Sequence, residues 1–214
     1  MSIDRLYRNS QILSLRNEVI TLYSYDLKDE KFSIHELEVE LTKLLKNGQI
    51  KYDPSHDVAY AKIGIRKEIN GVNKVAYLEG VTKKRGTSLY GLEKNNFKLL
   101  NDVNVGNQVF VFGYPTSITE VNPWLDIKLP LLRKGIVAGK NEELKAIILD
   151  CPVYFGNSGG LVIEVGEIKG VYYYKAIGLI SEYVPFESNW FQNSGYSIVV
   201  PMDFVQELLG IQSK

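Results

Sequence analysis

The stretch DCPVYFGNSGGLV, residues 150–162, carries most of what the sequence predicts about fold and function. It places Ser158 among glycines, between an apolar segment that ends near Tyr154 and another that begins at Leu161. Glycine lets the backbone turn tightly and leaves neighbouring hydroxyl and amide groups accessible. The pattern is typical of a nucleophilic serine beside an oxyanion hole. A glycine-rich hairpin turn is the alternative interpretation.

Charge and composition exclude several classes of function. The 25 lysines and arginines balance the 25 aspartates and glutamates, so no overall field favours nucleic acid or an anionic membrane. No apolar run approaches the roughly 18 residues of a membrane span, and the N-terminal sequence lacks the apolar core of a secretory signal. We therefore expect a cytoplasmic protein with no metal and no cofactor.

Short runs rich in Val, Ile, Tyr and Phe recur along the chain and are separated by Gly, Asn, Asp and Pro, which predicts a mostly β fold with a sandwich or barrel. A C-terminal helix is expected over residues 201–211, and the segment 41–45 could be a short helix or a strand end. We interpret the polar segment 70–101, with its basic KKRG sequence, as a loop system between two halves.

Further segments occur in an order that is typical of one family. They are HDVAYAKI (56–63), VGNQVFVFGYP (105–115), LPLLRKGIVAGK (129–140) and GYSIVVPMDFVQELL (195–209). Together with GNSGG, they make residues 50–210 resemble chymotrypsin-fold serine peptidases, in particular the trypsin-like and HtrA-like members. The resemblance implies a chymotrypsin-like double β-barrel, with a first barrel that could be incomplete, and a trypsin-like serine endopeptidase activity.

The resemblance also implies a domain organisation and residue roles. Residues 1–100 would form an N-terminal half-barrel that carries the triad aspartate, and residues 101–214 a C-terminal barrel that carries the nucleophile. The implied catalytic residues are Ser158 and Asp57, and the implied oxyanion hole is formed by Gly156, Asn157 and Ser158.

The partner implied by the resemblance is a peptide or protein substrate. It would pair with the strand Gly178, Leu179, Ile180 and Ser181 by β-augmentation. Pro152, Val153 and residues near Tyr183 to Tyr196 would line the pocket for the side chain before the cleaved bond. Because Pro152 stands where a trypsin-like enzyme would carry an acidic residue, a preference for Lys or Arg in that pocket is not expected.

The family places its catalytic histidine in a T-x-x-H-V type of turn, and this sequence contains no such motif. His56 adjoins Asp57, and neighbouring residues of an extended segment point to opposite faces, so Asp57 is not expected to orient that ring. His35 lies in the alternating run FSIHELEVEL, where it is either a half-buried strand residue or the catalytic base. Residues 17–65 resemble the part of the family that follows the histidine, so the missing strands would precede Met1.

Several functions therefore stay open. The chain could be an active endopeptidase, a truncated or inactive member, a pseudopeptidase that binds peptides as a scaffold, or a structural β domain with a simple turn at NSGG. Cys151 is either a thiol nucleophile or a packed core residue, and its apolar neighbours favour the core. The sequence does not determine the oligomeric state.

Overall fold

The computed structural model describes residues 19–28, 31–69, 71–86, 91–115, 122, 124–125, 130–186 and 189–211. These residues form a mostly β chain that divides into two compact units. The N-terminal unit contains the described residues up to 52 and those of 59–91. The C-terminal unit contains the segment 53–58 and the described residues from 92 onward.

The N-terminal half of the chain contains seven short strands and one helix within the described residues. They are β1 Val19–Lys28, β2 Lys31–Glu40, helix α1 Leu41–Lys46, β3 Ile50–Asp53, β4 Val58–Ala61, β5 Gly64–Ile69, β6 Val72–Tyr77 and β7 Val81–Arg85. The strands form three sheets, in the orders β1-β2-β7, β3-β4 and β5-β6. Leu37 and Val39 of β2 are buried with Leu44 of α1, while the intervening glutamates face outward, as the alternating sequence of β2 requires.

The C-terminal unit contains a closed antiparallel barrel of six strands. They are β8 Gln108–Gly113, β9 Leu131–Asn141, β10 Ala146–Asp150, β11 Leu161–Ile168, β12 Val171–Phe186 and β13 Asn189–Pro201, and helix α2 Met202–Leu208 follows. The order around the barrel is β10-β13-β12-β11-β8-β9. Closure pairs both edges of each strand over part of its length, so a peptide can add a strand only where a strand extends beyond its neighbour.

The barrel interior is filled by residues that alternate along its strands. In β8, Val109 and Val111 are fully buried, and in β10 Ile147 and Leu149 are buried in the same way. Each such side chain contributes about 1.5–3 kcal/mol by leaving water. The barrel core therefore gives the loops at its ends a rigid support.

The mostly β fold with a C-terminal helix is confirmed, and the predicted C-terminal barrel is present. In the N-terminal half, the described strands form three separate sheets, and the incomplete first barrel stays a prediction. The helix predicted over 201–211 is shorter, because Pro201 is extended and Gly210 adopts a φ of +69°. The segment 41–45 is part of helix α1.

The prediction of a loop system over residues 70–101 is wrong over residues 72–85, whereas the described residues 91–101 form only two short 3-10 turns and irregular backbone. Strands β6 and β7 lie within residues 72–85, and the basic residues of KKRG belong to β7. Strand β6 pairs with β5 around a turn in which Gly71 has a φ of +73°. The sequence Asn70-Gly71 is a strong hairpin signal. The polar residues around it were interpreted as a loop, and the hairpin was therefore missed.

Within the described residues, neither α-helix has the length and apolar character needed to cross a bilayer.

Candidate active site around Ser158

Ser158 lies in the turn that connects two barrel strands. Strand β10 ends at Asp150 and β11 begins at Leu161, so residues 151–160 bridge the strand ends without regular structure. Gly156 and Gly159 have φ angles of +95° and +79°, which side chains other than glycine rarely adopt. The glycines of GNSGG are therefore required by the path of the turn.

Asn157 fixes the conformation of this turn. Its N–H donates to the Tyr154 carbonyl oxygen (2.9 Å), and the Tyr154 N–H donates to its side-chain Oδ1 (3.1 Å). The side chain is only 1% exposed and lies against Gly113, where an added Cβ would stand 2.3 Å from Asn157 Nδ2. Asn157 was predicted to belong to the oxyanion hole. Its N–H is already used within the turn, so it does not donate to a substrate in this conformation.

The amides of Gly156 and Ser158 differ from that of Asn157. Neither donates a hydrogen bond to another group in the described part of the chain. An oxyanion hole needs amides that are free to donate, and the role of these two amides in one stays a prediction. The neighbouring Gly159 amide is occupied, because it donates to the Ile180 carbonyl oxygen at 2.7 Å.

The Ser158 hydroxyl is exposed and donates to the Ser181 carbonyl oxygen at 2.9 Å. This bond places the serine beside strand β12, where the sequence predicted substrate binding. A nucleophilic serine instead donates its proton to a base within hydrogen-bond reach. In the described structure, the Ser158 hydroxyl donates to a backbone carbonyl oxygen instead of to a base.

A pocket of about 240 Å³ opens beside the Ser158 side chain. Its lining is mostly apolar or aromatic and consists of Val153, Tyr154, Phe155, Ser158, Ile180, Ser181, Glu182, Tyr183 and Pro185. Phe155 and Tyr183 pack edge to face, with ring centroids 5.8 Å apart. Of the predicted pocket residues, Val153 lines this pocket and the exposed Pro152 does not, while Tyr183 and Pro185 represent the predicted range 183–196.

A second pocket of about 290 Å³ lies on another side of Ser158. Phe112, Tyr114, Pro130 and Leu161 line it together with the glycines of the turn. The serine thus borders two concave surfaces in the same unit.

Within the described residues, no strand pairs with one edge of β12 at Ser181 and Glu182, next to the first pocket. The pairing of β12 with β11 ends at Leu179, and the final bonds on that side join Ile180 to Gly159 and Gly160. Its pairing with β13 continues to Phe186. Gly178 and Leu179 were predicted to bind substrate, but both of their edges are paired within the barrel. The edge that a peptide can reach begins at Ser181.

The two histidines were the candidate bases, and His56 is engaged elsewhere. Its Nδ1 lies 2.6 Å from Asp53 Oδ2, and its ring stacks on Phe204 of helix α2 with centroids 3.6 Å apart. The hydrogen bond from His56 lowers the pKa of Asp53 below its usual value. His56 therefore joins the β3–β4 turn to the C-terminal helix, and no described imidazole bonds to Ser158.

Asp57 and His35 occupy different elements. Asp57 ends the β3–β4 turn with a φ of +52°, in the same unit as Ser158. His35 lies in β2 opposite Ser24, in the N-terminal unit, and its side chain lies outside the described part of the structure. The roles predicted for Asp57 and His35 stay predictions.

Cys151, the other nucleophile considered, is buried in the barrel core. Burial raises the pKa of its thiol, and the positive charge of Arg133 opposes this rise only in part. A thiol held in its neutral form is a poor nucleophile.

Among the described residues, no three His, Cys, Asp or Glu side chains are grouped so that they could hold a metal ion.

No family model matches the chain, and no curated protein matches it. Among solved structures, it is similar to an HtrA-type protease, AlgW, in a structure with a tripeptide, at 14% identity and a TM-score of 0.40. That match covers 92% of this chain, which spans 60% of the AlgW chain. It is also similar to Deg5, at 17% identity and a TM-score of 0.36, over 89% of this chain and 86% of Deg5. The roles of individual residues therefore rest on the geometry described above.

Sequence reasoning missed Tyr154 and Phe155 as pocket residues. They stand directly before GNSGG, and that proximity was a usable signal. Tyr183 and Pro185 fall in the range 183–196 that the resemblance implied for the pocket, and Glu182 falls in the segment 178–182 that it implied for substrate pairing.

Proposed function

We propose that the chain is a serine endopeptidase of the trypsin-like class that uses Ser158 to cleave an extended peptide. The observation that carries this proposal is the exposed Ser158 hydroxyl in a turn where the amides of Gly156 and Ser158 have no partner within the described residues, beside a mostly apolar pocket and a strand edge. These are the parts that acyl transfer needs for attack, for stabilising negative charge and for holding the substrate.

In this reaction Ser158 Oγ attacks the substrate carbonyl carbon and gives its proton to a base. The carbonyl oxygen becomes negative and accepts hydrogen bonds from the Gly156 and Ser158 amides. The base returns the proton to the leaving amine, and water then hydrolyses the acyl-serine bond. Asp57 would orient an imidazole that serves as the base, and His35 is the imidazole that the sequence leaves for this role.

The pocket supports a preference for an apolar residue before the cleaved bond. Its walls include Val153, Phe155 and Ile180, and among the described lining residues only Glu182 is charged. An apolar side chain placed there would leave water without stranding a polar group.

A second function, that of a pseudopeptidase, is favoured by the hydrogen bonds of the site. The Ser158 hydroxyl donates to a backbone carbonyl, and His56 is bound to Asp53 and stacked on Phe204. A cleft of this kind would bind an extended peptide as a scaffold and release it uncut.

A fluorophosphonate probe tests the first function, because its phosphorus forms a bond with a serine oxygen only when fluoride leaves and a base removes the proton. The chain as given would be compared with Ser158→Ala, His35→Ala and His56→Ala. We expect labelling that Ser158→Ala abolishes and His56→Ala retains. Loss with His35→Ala would assign the base.

Two results would overturn the endopeptidase. Labelling that survives Ser158→Ala would indicate another nucleophile. No labelling of the parent chain, together with retained binding of an extended peptide, would establish the pseudopeptidase.

A further inference from the structure

Among the described residues that line the pocket beside Ser158, only Glu182 has a charged side chain. It is exposed, and no hydrogen bond or ion pair engages its carboxylate within the described part of the chain. The other described lining residues are apolar, aromatic or hydroxyl-bearing. The described pocket wall is therefore mostly apolar and carries one carboxylate.

Strand pairing places Glu182 on the unpaired edge of β12. Glu182 pairs with Ile198 of β13 on one side, while pairing with β11 has already ended at Leu179. The pairing of β12 with β13 has a bulge between Ile180 and Glu182. At this bulge, the Ser181 carbonyl oxygen accepts the hydrogen bond of the Ser158 hydroxyl. A peptide strand added at this edge would run past Ser181 and Glu182, next to the residue that fills the pocket.

We infer that Glu182 is a specificity-determining residue that selects peptides carrying Lys or Arg beside an apolar anchor residue. This inference rests on the proposed peptide-binding site and names its substrate class. The apolar anchor fills the pocket, and the neighbouring cation lies opposite the Glu182 carboxylate. The selected ligand is thus an apolar residue flanked by positive charge.

The expected selectivity is modest because Glu182 is exposed. Opposite charges across neighbouring strands interact favourably, but water and salt screen such pairs. We expect a lysine-flanked peptide to bind about two- to five-fold more tightly than the same peptide flanked by glutamine, and the glutamate-flanked peptide to bind more weakly than either. The differences should shrink as salt is added.

The test measures binding by fluorescence anisotropy in the Ser158→Ala chain, so that cleavage does not deplete the peptide. Labelled peptides share one valine anchor and differ only in its flanking residues, which are lysine, glutamine or glutamate. The chains compared are Ser158→Ala alone and with Glu182→Gln, Glu182→Lys or Glu167→Lys. Glu167 is an exposed residue of β11 outside the pocket lining, so its variant matches the change in net charge.

We expect Glu182→Gln to remove the preference for lysine, Glu182→Lys to reverse it in favour of glutamate, and Glu167→Lys to leave it intact. Equal binding of the three peptides by the parent would overturn the inference and leave the peptide-binding site standing. A preference that Glu167→Lys alters as strongly as Glu182→Lys would also overturn it, because net charge would then be the cause. No binding of any peptide would overturn the proposed site together with the inference.

Discussion

Two turns of the C-terminal unit carry the residues that the sequence associated with catalysis, and they use their polar groups differently. In the turn of Ser158, the bonds between Asn157 and Tyr154 hold the backbone, while the Gly156 and Ser158 amides have no partner within the described residues and Ser158 is exposed. In the turn of His56, the imidazole is bound to Asp53 and stacked on Phe204. The comparison teaches that a binding site for a carbonyl group can form within one turn, whereas the base must come from another element.

The most severe test of the Ser158 turn is Gly160→Ala. An added Cβ would stand 2.3 Å from the Phe112 carbonyl oxygen and 2.7 Å from that of Asn157, and backbone atoms cannot move away easily. We expect a loss of about 3 kcal/mol in the free energy of unfolding, measured by urea denaturation. Gly139→Ala is the control, since its Cβ meets only Ile148 at 3.9 Å, and it should change stability by less than about 0.5 kcal/mol.

A double-mutant cycle tests the contact between Gly113 and Asn157. Gly113→Ala should cost about 2 kcal/mol, because its Cβ collides with Asn157 Nδ2, and Asn157→Ala should cost about 1–2 kcal/mol through the lost bond to Tyr154. Removing the asparagine side chain relieves the collision. The loss of stability in the double variant should therefore be about 1 kcal/mol smaller than the sum of the two single losses. Strict additivity would show that the two residues are not in contact.

The stability of the His56 turn should be less sensitive to substitution than that of the Ser158 turn, because the His56 imidazole is about 40% exposed. His56→Ala removes both the stacking on Phe204 and the bond to Asp53, and we expect a loss of about 1 kcal/mol. His56→Phe keeps an aromatic ring against Phe204 and should recover part of the lost free energy of unfolding. If both variants match the parent in thermal unfolding, the stacking does not stabilise the unit.

The smallest expected effect is the pH dependence of the same turn. The His56 hydrogen bond lowers the pKa of Asp53 in the folded chain, so its stabilising contribution is present above the ordinary aspartate pKa of 3.8 and is lost as the pH falls through the folded value. The stability difference between the parent and His56→Phe should shrink from about pH 6 to about pH 2. A difference that stays constant over this range would show that the Asp53 carboxylate does not contribute.

Many of the strands and the turn of the nucleophile could be predicted from the sequence, although β6 and β7 were not. The alternating apolar residues of β2 and the Val-, Ile- and Phe-rich runs of β8 and β10 are typical of strands. The glycines around Ser158 predict a tight turn because two of them adopt positive φ angles. Both features depend on near neighbours in the chain, and a single sequence contains that information.

The groups that surround Ser158 depend on the tertiary structure and could not all be predicted from the sequence. The end of the β11–β12 pairing at Leu179 leaves Ser181 and Glu182 on an open edge, and strand register sets that end. The partner of His56 on helix α2, Phe204, is likewise far from it in sequence. Such contacts depend on how distant elements pack, because many pairings satisfy the same local pattern and the burial of a shared core selects one of them.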